Sequence, residues 1–287
     1  MDNTAVTELE KKYGFLKELQ DANFLMLCEL DRICRKCGLK YYLLAGTLLG
    51  AVRHGDFIPW DDDVDVVFPR KDYMRFLKVF PRYASQRYSL VKVEQYPQFR
   101  SFINRIVDND MEMELTTELD DFYGQRFSHP SIDLFIFDNA PENMALVSFR
   151  LKLIYGLALS RCGAIVDNQK NLINKIAVHT LALIGKLFPI QFLYRSYDRV
   201  CRITNKKNKA SDSWFISNDQ LKPMYWAKLY KKEWFAHPAS VRLRGREFPA
   251  AADADAQLKL IYKDYMSIPP ADKQVPEHFK GIKRKKD

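Results

Sequence analysis

The spacing of hydrophobic positions changes several times along this chain. Over residues 5–37, Leu16, Leu19, Phe24, Leu27, Leu30 and Ile33 recur among charges at helical intervals, which predicts a helix. Tyr41–Val52 is the longest stretch free of Asp, Glu, Lys and Arg, at twelve residues. Its pattern predicts an apolar strand, a Gly46-Thr47 turn and a short helix ending near Gly50. Phe57-Ile58-Pro59-Trp60 then leads into Asp61-Asp62-Asp63-Val64-Asp65-Val66-Val67-Phe68, whose second half alternates and is β-branched, as a strand does. Arg70–Phe80 predicts a helix with Tyr73, Phe76 and Leu77 on its apolar face. Strands are predicted at Tyr88–Val93, Phe102–Val107, Met111–Leu115 and Ile132–Phe137, the last strongly apolar around Asp133.

From about residue 141 the pattern becomes apolar and basic with helical periodicity through residue 204. Ile176, Leu181, Leu183, Ile184, Leu187 and Phe188 cluster there, with Lys175 and Lys186 at the flanks, and Pro189 interrupts. Thr204–Ser213 is polar and Lys-rich, a predicted loop, and Trp226–Phe248 intersperses aromatic and basic residues. Ala256–Met266 predicts a helix that Pro269-Pro270 ends. The expected organisation is therefore an α+β core over 1–140, a basic amphipathic helical segment over 141–210, a closing C-terminal part over 211–279 and a basic tail over 280–287.

At 287 residues and 47% hydrophobic content the chain is long and apolar enough for a sizeable core. Its net charge of +9 is unevenly placed. Residues 150–209 hold twelve Lys or Arg against Asp167 and Asp198, a net +10, and residues 280–287 add +4, so the remainder carries −5. No run approaches the 18–20 apolar residues of a membrane span, and the polar, acidic N-terminus MDNTAVTELE is unlike a signal peptide. The expected location is the cytoplasm, with peripheral attachment to the cytoplasmic face of the plasma membrane through the basic segment. Basic residues interleaved with apolar ones at helical spacing suit an anionic membrane surface. A specific nucleic-acid partner is not expected, because the basic segment has no recognised reader motif. Five cysteines fit reduced thiols, and the Cys34/Cys37 pair lacks two further ligands at zinc spacing.

The chemistry concentrates in the acids. In a strand, Asp61, Asp63 and Asp65 face the same way, and carboxylates so placed repel unless a cation lies between them. Asp62 points the other way if the strand begins that early, where a structural hydrogen bond is its ordinary use. Asp133, between Ile132 and Leu134, is costly in a central strand unless it is paired or binds metal. Carboxylates without His or Cys beside them favour Mg²⁺ or Mn²⁺, and two such ions can neutralise a phosphate and activate an attacking oxygen. Gly46 permits close backbone approach to a phosphate, and the Thr47 hydroxyl with the amides of the next helix can hold phosphate oxygens. Arg53 and Arg105 are candidates for a phosphate clamp, since a guanidinium grips two oxygens.

The segment Ala45–Val66, AGTLLGAVRHGDFIPWDDDVDV, resembles the signature of the LicD family of phosphotransferases, typified by bacterial phosphocholine transferases and related to fukutin-type ribitol-phosphate transferases. Ile132-Asp133-Leu134-Phe135 matches that family's downstream acid. Phe248-Pro249 and Leu260–Pro270 resemble its closing motif, with Lys263 standing where a Gly is usual. The resemblance implies a nucleotidyltransferase-like, polymerase-β-type mixed sheet with flanking helices and a helical, basic insertion. It implies that Gly46 and Thr47 bind phosphate, and that Asp63, Asp65 and Asp133 hold two Mg²⁺ or Mn²⁺ ions, with Asp61 a further candidate ligand and Asp133 the expected general base.

The activity implied is transfer of phosphocholine from CDP-choline to a sugar hydroxyl of a cell-surface glycan or its lipid-linked precursor, in teichoic acid, lipopolysaccharide or capsule. The same acids suit glycerol-phosphate or ribitol-phosphate from a CDP-activated donor, or a nucleotidyltransferase using an NTP. Tyr225, Trp226, Tyr230, Trp234, Tyr262 and Tyr265 supply aromatic faces of the kind that hold quaternary ammonium groups, without singling out choline.

Overall fold

The computed structural model describes residues 13–95, 101–115, 128–161, 172–220, 222 and 224–283. Residues 5–12 of the first predicted helix, 162–171 of the basic segment and 284–287 of the tail lie outside the described residues. The fold is mixed α/β. In chain order its elements are α1 (Phe15–Cys37), β1 (Tyr42–Leu43), α2 (Ala45–His54), β2 (Val64–Pro69), α3 (Arg70–Tyr83), β3 (Tyr88–Val91), β4 (Asn104–Asp108), β5 (Met113–Leu115) and β6 (Ser131–Asn139). There follow α4 (Met144–Arg161), α5 (Leu172–Lys186), α6 (Ile190–Lys207), β7 (Ser213–Ile216), β8 (Tyr230–Lys231), β9 (Ala239–Leu243), β10 (Arg246–Ala250), α7 (Ala254–Tyr262) and β11 (Phe279–Ile282).

The chain forms two compact units. One comprises the described residues of Met1–Val91, Asn104–Phe135 and Glu233–Asp287. Its strands run β1-β2-β6-β4-β3, with Leu43 opposite Val66 and Arg105 opposite Asp133. Strand β6 is buried at every position from Ser131 to Asp138, as an apolar central strand must be. In α1 the helical stripe Leu16, Leu19, Leu27, Leu30 and Ile33 is buried, each side chain contributing about 1.5–3 kcal/mol by leaving water. Glu18 in its first turn and Arg35 and Lys36 in its last complement the helix dipole. The near end of α1 packs Leu16 and Leu19 on Met113, Leu115 and Phe279, which belong to the antiparallel pair β5–β11. Thus the basic tail begins as a strand, because Phe279 is buried there.

The β9–β10 hairpin closes through Arg244-Gly245, both with left-handed φ (50° and 77°), between the paired residues Leu243 and Arg246. That is the type I′ geometry that matches strand twist. Arg244 takes the conformation against its own preference, and its contacts offset the strain: Nε lies 2.6 Å from Asp56, Nη1 lies 2.5 Å from Asp21, and its N–H donates to the Gly55 carbonyl at 2.9 Å. Helix α7 ends at Lys263 with φ 59°, several residues before the Pro269-Pro270 stop that the sequence suggests. The positive φ accounts for the glycine usual at this position.

The second unit comprises the described residues of Lys92–Ile103 and Ile136–Lys232. Here the later part of β6 pairs with β7, and β7 pairs with β8. Phe102 sits among Tyr155, Tyr194 and Tyr197, with ring centroids 4.8–5.5 Å away. Helix α6 runs on through Lys207 and shortens the predicted Lys-rich loop. Among the described residues no single helix is long and apolar enough to cross a membrane.

Asp31 on α1 is fully buried and receives Arg35 Nε at 2.8 Å, Arg246 Nη2 at 2.9 Å and the Tyr41 hydroxyl at 3.0 Å. Asp31→Ala leaves that hydroxyl buried and unpaired, while the two half-exposed arginines regain water. The expected loss is about 2–3 kcal/mol, measured by urea unfolding; a loss below about 0.5 kcal/mol would remove Asp31 as the joint between α1 and the hairpin.

Candidate functional site

The site is built on a close approach between α2 and the segment that precedes β2. A Cβ on Gly50 would lie 2.7 Å from the Asp56 carbonyl oxygen and 2.9 Å from the Ile58 nitrogen, and one on Gly46 would lie 2.7 Å from Asp61 Oδ2. Gly46 and Gly50 are four apart and share a helix face, so residues 56–61 lie directly on the helix backbone. From the other side α1 holds the same segment. Gln20 Nε2 donates to the Ile58 and Asp61 carbonyls, both at 3.0 Å, and Asn23 Nδ2 donates to the Asp62 carbonyl at 3.4 Å.

Helix α2 begins at Ala45, so Gly46 and Thr47 form its first turn and do not precede it, and it runs on to His54. Ala45 carries the left-handed φ of 45° by which strand β1 turns into the helix. Thr47 is buried, and its Oγ1 accepts from the Asp65 N–H at 2.8 Å. The Leu44 N–H donates to the Asp65 carbonyl at 3.1 Å. The hydroxyl expected at a phosphate accepts the Asp65 N–H and so fixes the position of Asp65.

Strand β2 starts at Val64. Asp61, Asp62 and Asp63 therefore lie before it, and the same-face spacing extends from Asp65 only within the strand. The Ile58 carbonyl accepts from the Asp61 N–H, which turns the chain. Asp61 Oδ2 is buried with no hydrogen-bond partner. Burial, then the like charges of Asp63, Asp62 and Glu277, push the Asp61 carboxyl well above the usual range. Asp62 is buried and satisfied: Oδ2 accepts the N–H groups of His278 (2.7 Å) and Phe279 (2.9 Å), and Oδ1 lies 2.8 Å from His278 Nδ1. Asp63 Oδ2 is 3.8 Å from the same ring nitrogen. Burial lowers the pKa of His278, but Asp63 and Asp62 outweigh it and raise it to about 9. Asp62, Asp63 and His278 present ligand atoms all within 4.8 Å of one another.

Asp133 is buried on β6 opposite Arg105 on β4. Arg105 Nη2 donates to Asp133 Oδ2 at 2.9 Å, and Nε lies 2.5 Å from Oδ1. The guanidinium also lowers the His278 pKa, so this pair lies within electrostatic reach of the Asp62–His278 cluster. Arg53 is used differently: Nη1 donates to the carbonyls of Tyr265 (2.8 Å) and Ser267 (3.3 Å), and Nε to His54 Nε2 (3.0 Å). It fastens the chain after α7 to the end of α2, and these two nitrogens are not available as a phosphate clamp.

Comparison with known proteins adds to this geometry. Residues 38–150 match the family described as LicD/FKTN/FKRP, nucleotidyltransferase domain. Residues 38–150 therefore carry a LicD-type domain. It is 27% identical to the lipopolysaccharide cholinephosphotransferase LicD of Haemophilus influenzae over 277 residues, 92% of this chain and 96% of that protein. A shorter segment of 34 residues is 56% identical to the ribitol 5-phosphate transferase FKRP of mouse and of human, covering 12% of this chain and 7% of each relative. The LicD-type match contains Gly46, Thr47, the aspartates 61–65, Arg105 and Asp133; His278 lies beyond it.

Sequence reading did not find Gln20, Asn23, Glu277 and His278. For Gln20 and Asn23 a signal exists, since both are polar residues on the apolar stripe of α1. Nothing local marks His278, which lies 216 residues from Asp62.

Gly46→Ala is expected to cost about 1–3 kcal/mol, because the new methyl group displaces a buried carboxylate. In the Asp61→Ala background the same substitution is expected to cost less, and a double-mutant cycle by urea unfolding measures the difference. Equal costs in the two backgrounds contradict the close approach of Gly46 and Asp61.

Proposed function

We propose that this chain is a Mg²⁺- or Mn²⁺-dependent transferase on a polymerase-β-type nucleotidyltransferase fold. It moves phosphocholine from CDP-choline onto a sugar hydroxyl of a cell-surface glycan or its lipid-linked precursor. The observation that carries the reading is Asp61 Oδ2, a buried carboxylate oxygen close enough to Asp63 to feel its charge and satisfied by no donor. A buried orphan oxygen among like charges suits a divalent cation, and an oxygen-rich donor set suits Mg²⁺ or Mn²⁺. The relative named as a cholinephosphotransferase supports phosphoryl-group transfer to a glycan, with lipopolysaccharide the acceptor in its name.

In this reading Asp63, Asp65 and Asp133 hold the ions, and Asp61 adds a ligand. What the ions supply when bound is neutralisation of the charge on the donor phosphates. The remaining steps belong to the chain's own groups. The acceptor oxygen attacks phosphorus in line, the new O–P bond forms, the bond to CMP breaks, and CMP departs with the electron pair. Asp133 accepts the proton of the attacking hydroxyl. Arg105 covers Asp133 in the resting geometry, so Asp133 takes up that role once the guanidinium transfers to the donor phosphate, where its two nitrogens pair with two oxygens. Positioning and charge neutralisation then supply most of the rate. The FKRP match favours a second reading, in which the same site transfers ribitol-phosphate from a CDP-activated donor.

The test is CMP release by the full chain with CDP-choline, Mg²⁺ and a lipopolysaccharide acceptor. Parallel reactions with CDP-ribitol and CDP-glycerol identify the alcohol. Asp63→Asn and Asp65→Asn are each expected to lower kcat/KM about a thousandfold with unchanged circular dichroism, and chelation of divalent ions is expected to abolish turnover. Activity that survives either substitution, or chelation, overturns the metal assignment.

A further inference from the structure

Helix α5 leaves an apolar stripe in solvent. Leu172, Ile176, Leu183 and Leu187 are 72%, 59%, 69% and 76% exposed. At about 100° per residue, positions 4, 11 and 15 after Leu172 all fall within about 60° of it, so the four occupy one face. Leu187 follows the last helical residue, but its N–H still donates to the Ile184 carbonyl at 3.1 Å and carries the stripe past Lys186. The side of α5 turned inward presents Ala182 and Gly185. Lys175 and Lys186 are exposed along one flank of the stripe.

Helix α4 of the same unit repeats the arrangement. Val147, Leu151, Tyr155 and Ala158 are buried, while Leu146, Phe149 and Leu153 are exposed with Arg150 among them. Trp226 is 45% exposed, and the Lys152 ammonium lies 3.9 Å from the centre of its ring. A helix that faces water on one side normally carries charges there. These helices carry leucine, isoleucine and phenylalanine, with cations at the edges.

The charge identifies what fits. Residues 150–209 carry a net +10, with Asp167 and Asp198 their only acids, and apolar side chains flanked by lysines match the boundary between acyl chains and anionic head groups. Among the described residues no single helix is long and apolar enough to cross a bilayer by itself, and lysines flanking an exposed apolar stripe suit a helix that lies along the surface. We propose that the exposed stripe of α5, with its flanking lysines, docks the protein on an anionic lipid surface. This surface is independent of the transferase reading, since its test reads vesicle binding and not turnover.

The experiment is flotation of the full chain with vesicles of phosphatidylcholine alone and of phosphatidylcholine mixed equally with phosphatidylglycerol. At low salt the chain is expected to float with the anionic vesicles, and raised salt is expected to weaken the association. Leu183→Asp with Leu187→Asp is expected to lower the bound fraction at least about tenfold with unchanged circular dichroism. Lys175→Glu with Lys186→Glu is expected to remove the preference for anionic lipid. Absence of flotation with anionic vesicles at low salt overturns the proposal, as does equal flotation of the aspartate variant. Light scattering that finds a dimer dissolved by Leu183→Asp, without vesicle binding, assigns the stripe to a second copy of the chain and likewise overturns it.

Discussion

A methyl group at Gly46 or Gly50 would occupy space already taken by the chain at residues 56–61. That exclusion sets the position of Asp61 and of the aspartates that follow it toward β2. With no side chain at either position, the segment rests on the backbone of α2, and Gln20 and Asn23 hold its carbonyls from the opposite side. Asp61 is thereby placed with its Oδ2 buried and without a hydrogen-bond donor, Asp62 faces the start of β11, and Asp63 leads into β2. Thr47, one residue from Gly46, ties Asp65 to the same helix. The geometry of four aspartates is thus set by contacts made largely with backbone atoms, which no charge repulsion can easily displace.

The cost of gathering like charges is met unevenly, and the unevenness is informative. Asp62 receives two backbone amides and an imidazole whose pKa is raised to about 9. Asp133 receives a guanidinium. Asp61 receives no hydrogen bond at Oδ2, and its carboxyl is driven toward the protonated form by burial and by its neighbours. A fold that supplied every acid with a protein donor would be a scaffold of ion pairs. Here one oxygen of Asp61 is left buried without a donor, which is the condition under which a bound cation gains most.

Much of the architecture was legible in the residues because it follows period and polarity. Alternation and β-branching located β2 and β6, and the helical stripes located α3 and the C-terminal end of α1 to within a few residues. What failed depended on single backbone angles or on distance along the chain. The turn from β1 into α2 falls on Ala45, whose left-handed φ no alanine announces, so Gly46-Thr47 read as a turn when they are helical. Asp61 read as a strand residue because spacing by two continues through it, whereas a hydrogen bond to Ile58 turns the chain there. Arg53 and Arg105 were both plausible clamps by chemistry. Tertiary contacts alone separate them, one on carbonyls at 265 and 267 and the other on Asp133.

The C-terminal residues belong to the site in a way that their composition conceals. Arg53 holds the chain just after α7, Asp62 holds the two residues at the start of β11, and β11 pairs with β5 over the foot of α1. Two of these anchors lie on the segment between α2 and β2 or on α2 itself, so the segment that carries the acids and the segment that closes the domain constrain each other. Loosening the C-terminal strand would release His278 and deprive Asp62 of its two amide donors. Asp62 would then add to the uncompensated charge around Asp61. The buried Phe279 side chain opposes that release through its apolar contact with Leu16 and Leu19. Hydrophobic packing at one edge of the domain therefore helps to maintain the charge distribution of the site, although none of the packed residues carries a charge.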